Sequence, residues 1–264
     1  MKPAVATGIV VTLLLSCRAW AASEVDDRLT LMASGSTLTH ADNGGAAAVG
    51  WLHNFNASAI LGAAAQYQTI ANSHWTFGSL SLAYGLGEAA HRSNFYAEVD
   101  EGSGADPAHS YDYSIVGGGL FQNLTRQLLV QLEDKQIDID TTHGNLPKVG
   151  VQFVWSPTLL TGVAYAHSVS GNLGTRLWSA RIDRYGKTLN LIVGGATGKA
   201  TPAVVDLQTG IRTPGLTLNE GFLGITKPFP RVEVTLLGDY LKIANIERVT
   251  LTLNCTVRLR SVAR

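Results

Sequence analysis

Four places in this sequence bring together residue types that do chemistry, and each departs from the spacing its chemistry needs. Gly194-Gly195-Ala196-Thr197-Gly198-Lys199-Ala200-Thr201 looks like a phosphate-cradling loop. Such a loop needs a glycine five residues ahead of its second glycine and a hydroxyl residue directly after the lysine. Val193 and Ala200 stand there instead, so nucleotide binding is not expected. His167-Ser168-Val169-Ser170 sets a base beside hydroxyl groups. In an extended chain residues on one face are two apart, so His167 shares its face with Val169 and both serines point away. No G-x-S-x-G elbow occurs in the chain, and lipid hydrolysis ranks third among the functions considered.

Asp134, Asp138, Asp140 and His143 crowd a predicted outer loop over 135–146. Carboxylates of this kind could hold calcium or bridge to lipopolysaccharide cations, but no glycine-pinned loop motif accompanies them, and a solvated acidic loop is expected. The other histidines show no metal-ligand spacing. Asn56-Ala57-Ser58, Asn123-Leu124-Thr125 and Asn254-Cys255-Thr256 match glycosylation acceptors, yet the first two read as turns and the third as strand. The sequence therefore predicts no catalytic residue, no cofactor and no metal site.

The elements that carry these residues are strands behind an export signal. Lys2, the apolar run Ala4 to Ser16 and the small-x-small site Ala19-Trp20-Ala21 make residues 1–21 a signal peptide cleaved before Ala22. A rival reading takes Leu14-Leu15-Ser16-Cys17 as a lipoprotein box with Cys17 retained. Cleavage after Ala21 removes Lys2 and Arg18 from 20 basic residues, leaving 18 against 20 acidic ones, a net charge of −2. That balance excludes a nucleic-acid partner. With Cys17 gone, Cys255 has no partner and a disulfide-stapled secreted fold is excluded.

Charged residues are only 15% of the chain, yet beyond the signal no apolar run approaches the roughly 20 residues of a spanning helix. A low-charge chain can still enter a bilayer if its apolar residues alternate. In 247–260, Val249, Leu251, Leu253, Cys255, Val257 and Leu259 share one face, and Thr250, Thr252, Asn254, Thr256, Arg258 and Arg260 the other. Val249, Leu251, Leu253 and Val257 are thus predicted to face lipid, and an arginine at Asn254 would meet water. The same alternation gives fourteen strands, near 28–40, 46–54, 58–69, 74–87, 93–102, 110–121, 127–134, 147–155, 159–169, 174–184, 187–198, 215–227, 231–243 and 247–260, with twelve as the fallback. Segment 215–227 switches parity, which a bulge near Glu220 and Gly221 would reconcile.

Connections after even-numbered strands are short, whereas 103–109, 135–146 and 199–214 all follow odd-numbered ones. Short periplasmic turns and longer outer loops alternate in this way. Phe55, Phe121, Trp155, Tyr185 and Phe229 beside the short turns, and Trp75, Tyr111, Tyr113, Trp178 and Tyr240 toward the other rim, would form two interfacial girdles. The fold class expected is all-β, a single antiparallel transmembrane β-barrel spanning 22–264, in the bacterial outer membrane.

Several segments resemble the YaiO family of outer-membrane barrels. They are Arg28-Leu29-Thr30-Leu31, Lys148 to Trp155 with the following Pro157 turn, Gly162 to His167, Trp178 to Asp183 and Leu191 to Gly198. The resemblance implies a barrel of the cell envelope with links to surface polysaccharide export and carries over no catalytic residue. Such barrels commonly end on an aromatic residue, whereas this chain ends Arg258-Leu259-Arg260-Ser261-Val262-Ala263-Arg264.

The expected function is a non-enzymatic conduit or surface-export component, with a barrel whose outer loops bind a partner as the alternative. Lumen-facing candidates are Glu98, Asp100, Asp112, Glu133, Arg181, Asp183, Glu233, Asp239 and Arg258. Their mixed signs predict a weakly selective interior, and Tyr96 is the one clear inward aromatic that a glycan could stack on. Expected partners are outer-membrane lipid and lipopolysaccharide, the barrel-assembly machinery and a glycan.

Overall fold

The computed structural model describes residues 25–39, 43–56, 58–70, 73–87, 91–105, 110–200, 216–243 and 246–262. The signal segment, Cys17 and the connections 106–109 and 201–215 lie outside them. The strands are β1 (Val25–Leu38), β2 (Gly44–Asn54), β3 (Ala59–Ile70), β4 (Ser73–Leu86), β5 (Ser93–Ala105) and β6 (Ser110–Asn123). They continue with β7 (Leu128–Ile139), β8 (Thr142–Asn145), β9 (Lys148–Ser156), β10 (Leu159–His167) and β11 (Arg176–Tyr185). The last four are β12 (Asn190–Ala200), β13 (Leu216–Pro228), β14 (Val232–Ile243) and β15 (Ile246–Val262).

Apart from β8 and β9, which both pair with β7, every strand pairs antiparallel with its neighbours in sequence, and β1 pairs with β15, so the sheet closes on itself. β8 and β9 are one wall strand. Glu133 lies opposite Lys148 and Gln136 opposite Asn145, so the register runs unbroken through Leu146 and Pro147. Pro147, which has no N–H to give the ladder, marks the interruption. The result is a closed 14-strand antiparallel barrel.

Alternation sets the two faces. Leu251 and Leu253 are 57% and 50% exposed, while their neighbours Thr252 and Asn254 are buried. Apolar side chains with nothing beside them in water would be costly, so this outward surface requires lipid. Among the described residues no helix is long and apolar enough to cross a membrane, and the strands do so instead.

The structure departs from the sequence reading in two places. The predicted loop 135–146 is a hairpin: β7 continues to Ile139, turns at Asp140 and Thr141 and returns as β8. Only the two residues 140–141 connect these strands, in place of the long outer loop expected there. No bulge interrupts β13. Its pairings with β12 and β14 run without a shift, and Leu218 simply points inward. The register shifts lie instead at Asp27/Arg28 and Leu159/Leu160.

Candidate functional site

The lumen is the candidate site, and its wall is built from the inward rows of all the strands. Of the sequence candidates, Glu98, Asp100, Glu133, Arg181, Asp183, Glu233, Asp239 and Arg258 occupy inward positions. Asp112 does not. On β6 the inward residues are Tyr111, Tyr113 and Ile115, so Asp112 and Ser114 face outward near the outer rim. Val249, Leu251, Leu253 and Val257 stand on the outward row of β15, with Val257 partly covered.

The inward charges are joined in pairs, within strands and across them. Lys135 pairs with Glu98, Lys148 Nζ lies 3.1 Å from Glu133 Oε2, and Arg181 lies 2.8 Å from Asp183 Oδ2. Arg248 reaches Asp239 Oδ1 at 3.2 Å. At the periplasmic end, Asp26 Oδ2 takes Arg28 Nε at 2.8 Å and Arg258 Nε at 3.1 Å. Arg181 with Asp183 and Arg28 with Asp26 sit two residues apart on one strand, Lys148 with Glu133 and Arg248 with Asp239 lie on adjacent strands, and Lys135 reaches Glu98 across β6, so each of these carboxylates has a cation beside it. Asp26, Arg28, Lys135, Lys148 and Arg248 escaped the sequence reading, although the parity of their strands would have placed them inside.

The inner wall is tightly lined. Gln68, Asp183, Thr252 and Asn254 are each under 5% exposed, which a wide aqueous channel would not allow.

Toward the outer rim the wall becomes apolar and aromatic. Trp75 and Tyr113, which the sequence placed in a lipid-facing girdle, are 5% and 6% exposed and point inward with Ile137 and Ile139. Trp75 stacks on Phe77 at 6.0 Å and on Tyr111 at 5.6 Å, with interplanar angles of 3° and 15°. Phe121 and Tyr185 also take inward positions, so Tyr96 is far from alone. Of the predicted girdle, Phe55, Trp155 and Phe229 at the periplasmic rim and Trp178 and Tyr240 toward the outer one are exposed outward, joined by Trp51, Tyr84 and Phe95 below and Tyr67 above. On the other side of the barrel Leu218, Leu241 and Ile243 form a second inward apolar cluster with Leu177.

Segment 168–175, between β10 and β11, folds onto the inner face of the hairpin β7–β8. Leu173 is fully buried in the cluster of Trp75, Tyr113, Ile137 and Ile139. Its hydrogen bonds are dense. Asn172 N donates to His143 O at 2.9 Å, Asn172 Oδ1 accepts from His143 N at 2.9 Å, and Ser170 Oγ donates to Asn145 Oδ1 at 3.0 Å. Gly144 makes this approach possible, since a Cβ there would collide with the Ser170 carbonyl oxygen. Gly171 supplies the left-handed backbone of the turn at φ 67°. The sequence reading missed this segment. Its signal was a lone leucine between Gly171 and Gly174.

Asp134, Asp138 and His143 stand on outward positions of β7 and β8, and Asp140 occupies the turn at φ 54°. Among the described residues, no group of three or more histidines, cysteines or carboxylates could hold a metal ion.

A closed barrel with an apolar outer belt and a polar, ion-paired interior is a transmembrane β-barrel of the bacterial outer membrane. Solved structures agree on the fold. The chain is similar to the CymD monoaromatic hydrocarbon channel, with 11% identity over 93% of this chain and 90% of that one and a TM-score of 0.59. It is also similar to the outer membrane protein Omp33 of Acinetobacter baumannii, with 12% identity over 89% and 99% and a TM-score of 0.52. The toluene transporter TodX of Pseudomonas putida gives 9% identity over 97% and 94% and a TM-score of 0.51. No protein-family model matches the sequence, and no curated protein is similar to it.

Proposed function

We propose that the protein is a non-enzymatic conduit for small neutral solutes. The observation that carries this reading is the polar inner wall whose acidic and basic side chains are paired with one another, so that neither sign dominates the path. A wall of this kind discriminates by size and hydrogen bonding more than by charge. Segment 168–175 narrows the outer mouth, and Leu173 fixes it there. Fourteen strands lie between the eight that side chains fill and the sixteen that leave an open aqueous channel.

The cargo class best matched is a glycan. Sugars use ring faces for stacking and polar side chains for their hydroxyls, and the partly buried rings of Phe77 and Tyr111 edge the aromatic cluster above the polar band. CymD is a monoaromatic hydrocarbon channel and TodX a toluene transporter. Here the ion-paired band below the rings opposes a purely apolar cargo. Polysaccharide export is the finer form of the reading, and the likeness to the YaiO family rests on the sequence segments quoted above.

Single-channel recording in planar bilayers, with liposome swelling in neutral sugars, tests the proposal. The expected result is a small conductance with a reversal potential near zero in a salt gradient, and swelling with small sugars only. A silent protein that admits no solute refutes it.

A further inference from the structure

The outward surface carries one charged feature that the conduit reading does not use. His167 on β10, Arg176 on β11 and Lys199 on β12 are opposite one another, His167 to Arg176 and Arg176 to Lys199, in one cross-strand row. All three hold outward positions at the outer rim, and Arg176 and Lys199 are exposed. Side chains directly opposite on neighbouring strands sit about 5 Å apart, and like charges placed so repel. Among the described residues no carboxylate pairs with either cation. The outward acids of this rim stand on other strands, Glu101, Asp112, Asp134 and Asp138 on β5, β6 and β7, and Glu247 on β15, where it pairs with Lys242.

The row below it fixes the depth. Tyr165, Trp178 and Thr197 follow one step toward the bilayer. Tyr165 and Trp178 lie with ring centroids 4.6 Å apart, Trp178 is 60% exposed, and Thr197 Oγ1 donates to Asn219 Oδ1 at 2.7 Å. An exposed tryptophan marks the boundary between hydrocarbon and headgroup. Below it come Val163, Ala180, Ile182 and Val193 on the outward faces of the same strands.

We infer that the row His167–Arg176–Lys199 binds a phosphate group of an outer-leaflet glycolipid, whose acyl chains lie along Trp178 and the apolar belt beneath. A phosphate supplies several acceptor oxygens that bridge a guanidinium and an ammonium at once, which removes their mutual repulsion. The occupant is a lipid because the cations stand on the lipid side of the wall, directly above rings at interface depth. It belongs to the outer leaflet because the row lies at the end of the strands away from both termini. This site does not depend on whether the lumen conducts.

Native mass spectrometry of the folded protein, titrated with lipopolysaccharide, tests the inference. Intact lipopolysaccharide should be retained, whereas lipopolysaccharide stripped of its lipid A phosphates and phosphatidylglycerol should be lost. Replacing both cations, Arg176→Gln with Lys199→Gln, should weaken retention roughly thirtyfold, at about 1 kcal/mol per basic residue removed. The charge-keeping exchange Arg176→Lys with Lys199→Arg should restore most of the binding, and Asp138→Asn on the acidic wall should change nothing. Undiminished binding by the double glutamine variant, or by the dephosphorylated lipid, overturns the site. Equal retention of phosphatidylglycerol overturns the outer-leaflet glycolipid as its occupant.

Discussion

Arginine placed at successive outward positions of β15 should report the bilayer depth of each. Val257, Cys255, Leu253, Leu251 and Val249 follow one another on that row, and Leu253 is its centre. It already stands 50% exposed beside Leu236 and Ala33 on the adjoining strands, so a longer side chain meets lipid and displaces no core. Val249 lies four residue steps from Leu253 along the strand. At about 3.3 Å per residue and a tilt near 40°, this places Val249 roughly 10 Å higher in a band about 25 Å tall. Leu253→Arg should therefore cost roughly 2–4 kcal/mol, and Val249→Arg about 1 kcal/mol or less. Denaturant-dependent folding into vesicles measures both. Thinning the bilayer should reduce the Leu253→Arg penalty and leave the Val249→Arg value nearly unchanged. Equal penalties at the two positions, or a Leu253→Arg penalty blind to bilayer thickness, would refute the facing and the depth assigned to this strand. Asn254→Arg is a different perturbation from the one the sequence suggests. Asn254 is 4% exposed between Met32 and Thr235, so an arginine there crowds the inner wall and should cost about 1–3 kcal/mol whatever the bilayer thickness.

Other consequences follow from the lumen. Leu173→Asp should release segment 168–175 from the aromatic wall, and Gly144→Ala should push it off through the clash with Ser170. Both should raise single-channel conductance and the size of sugar admitted, and unchanged conductance in folded variants would show that this segment does not limit passage. Lys135→Met strands the Glu98 carboxylate, whose side chain is 5% exposed, and should destabilise the barrel by about 3 kcal/mol or more in denaturant titration. By contrast Lys242→Met breaks an exposed pair with Glu247 and should leave the unfolding midpoint where it is. The folded protein should migrate anomalously in cold SDS until boiled, since a closed ladder leaves no free edge. Equal mobility before and after heating would contradict the closed barrel.

Alternation made the membrane-spanning part of the strands legible in the sequence, because one face there must be apolar for lipid and the other is free to be polar. The period alone gives which residues share a face. It assigns that face to lipid or lumen only where the two differ in polarity. On β15 the contrast is complete and the assignment follows. On β6 it fails: Tyr111, Tyr113 and Ile115 form the apolar row, and Asp112 and Ser114 the polar one, yet the apolar row points inward. The reason is segment 168–175. Its Leu173 gives the inner wall at this rim a small hydrophobic core, and above the bilayer the outward row no longer has hydrocarbon to satisfy.

The same inversion explains Leu218 on β13 and the loop predicted over 135–146. Asp134 and Asp138 read as loop because they carry charge. They are strand residues whose outward face has risen past the belt that ends with Leu132, while Ile137 and Ile139 still point into the lumen. Charge on an outward row therefore marks where the bilayer stops rather than where a strand ends. By that criterion the wall from β5 to β8 stands above the membrane on its acidic side. On the wall from β10 to β12, Arg176 and Lys199 sit just above the exposed ring of Trp178. An outer rim acidic where it leaves the membrane and basic where it meets headgroups is the arrangement expected if anionic lipid gathers along one wall only.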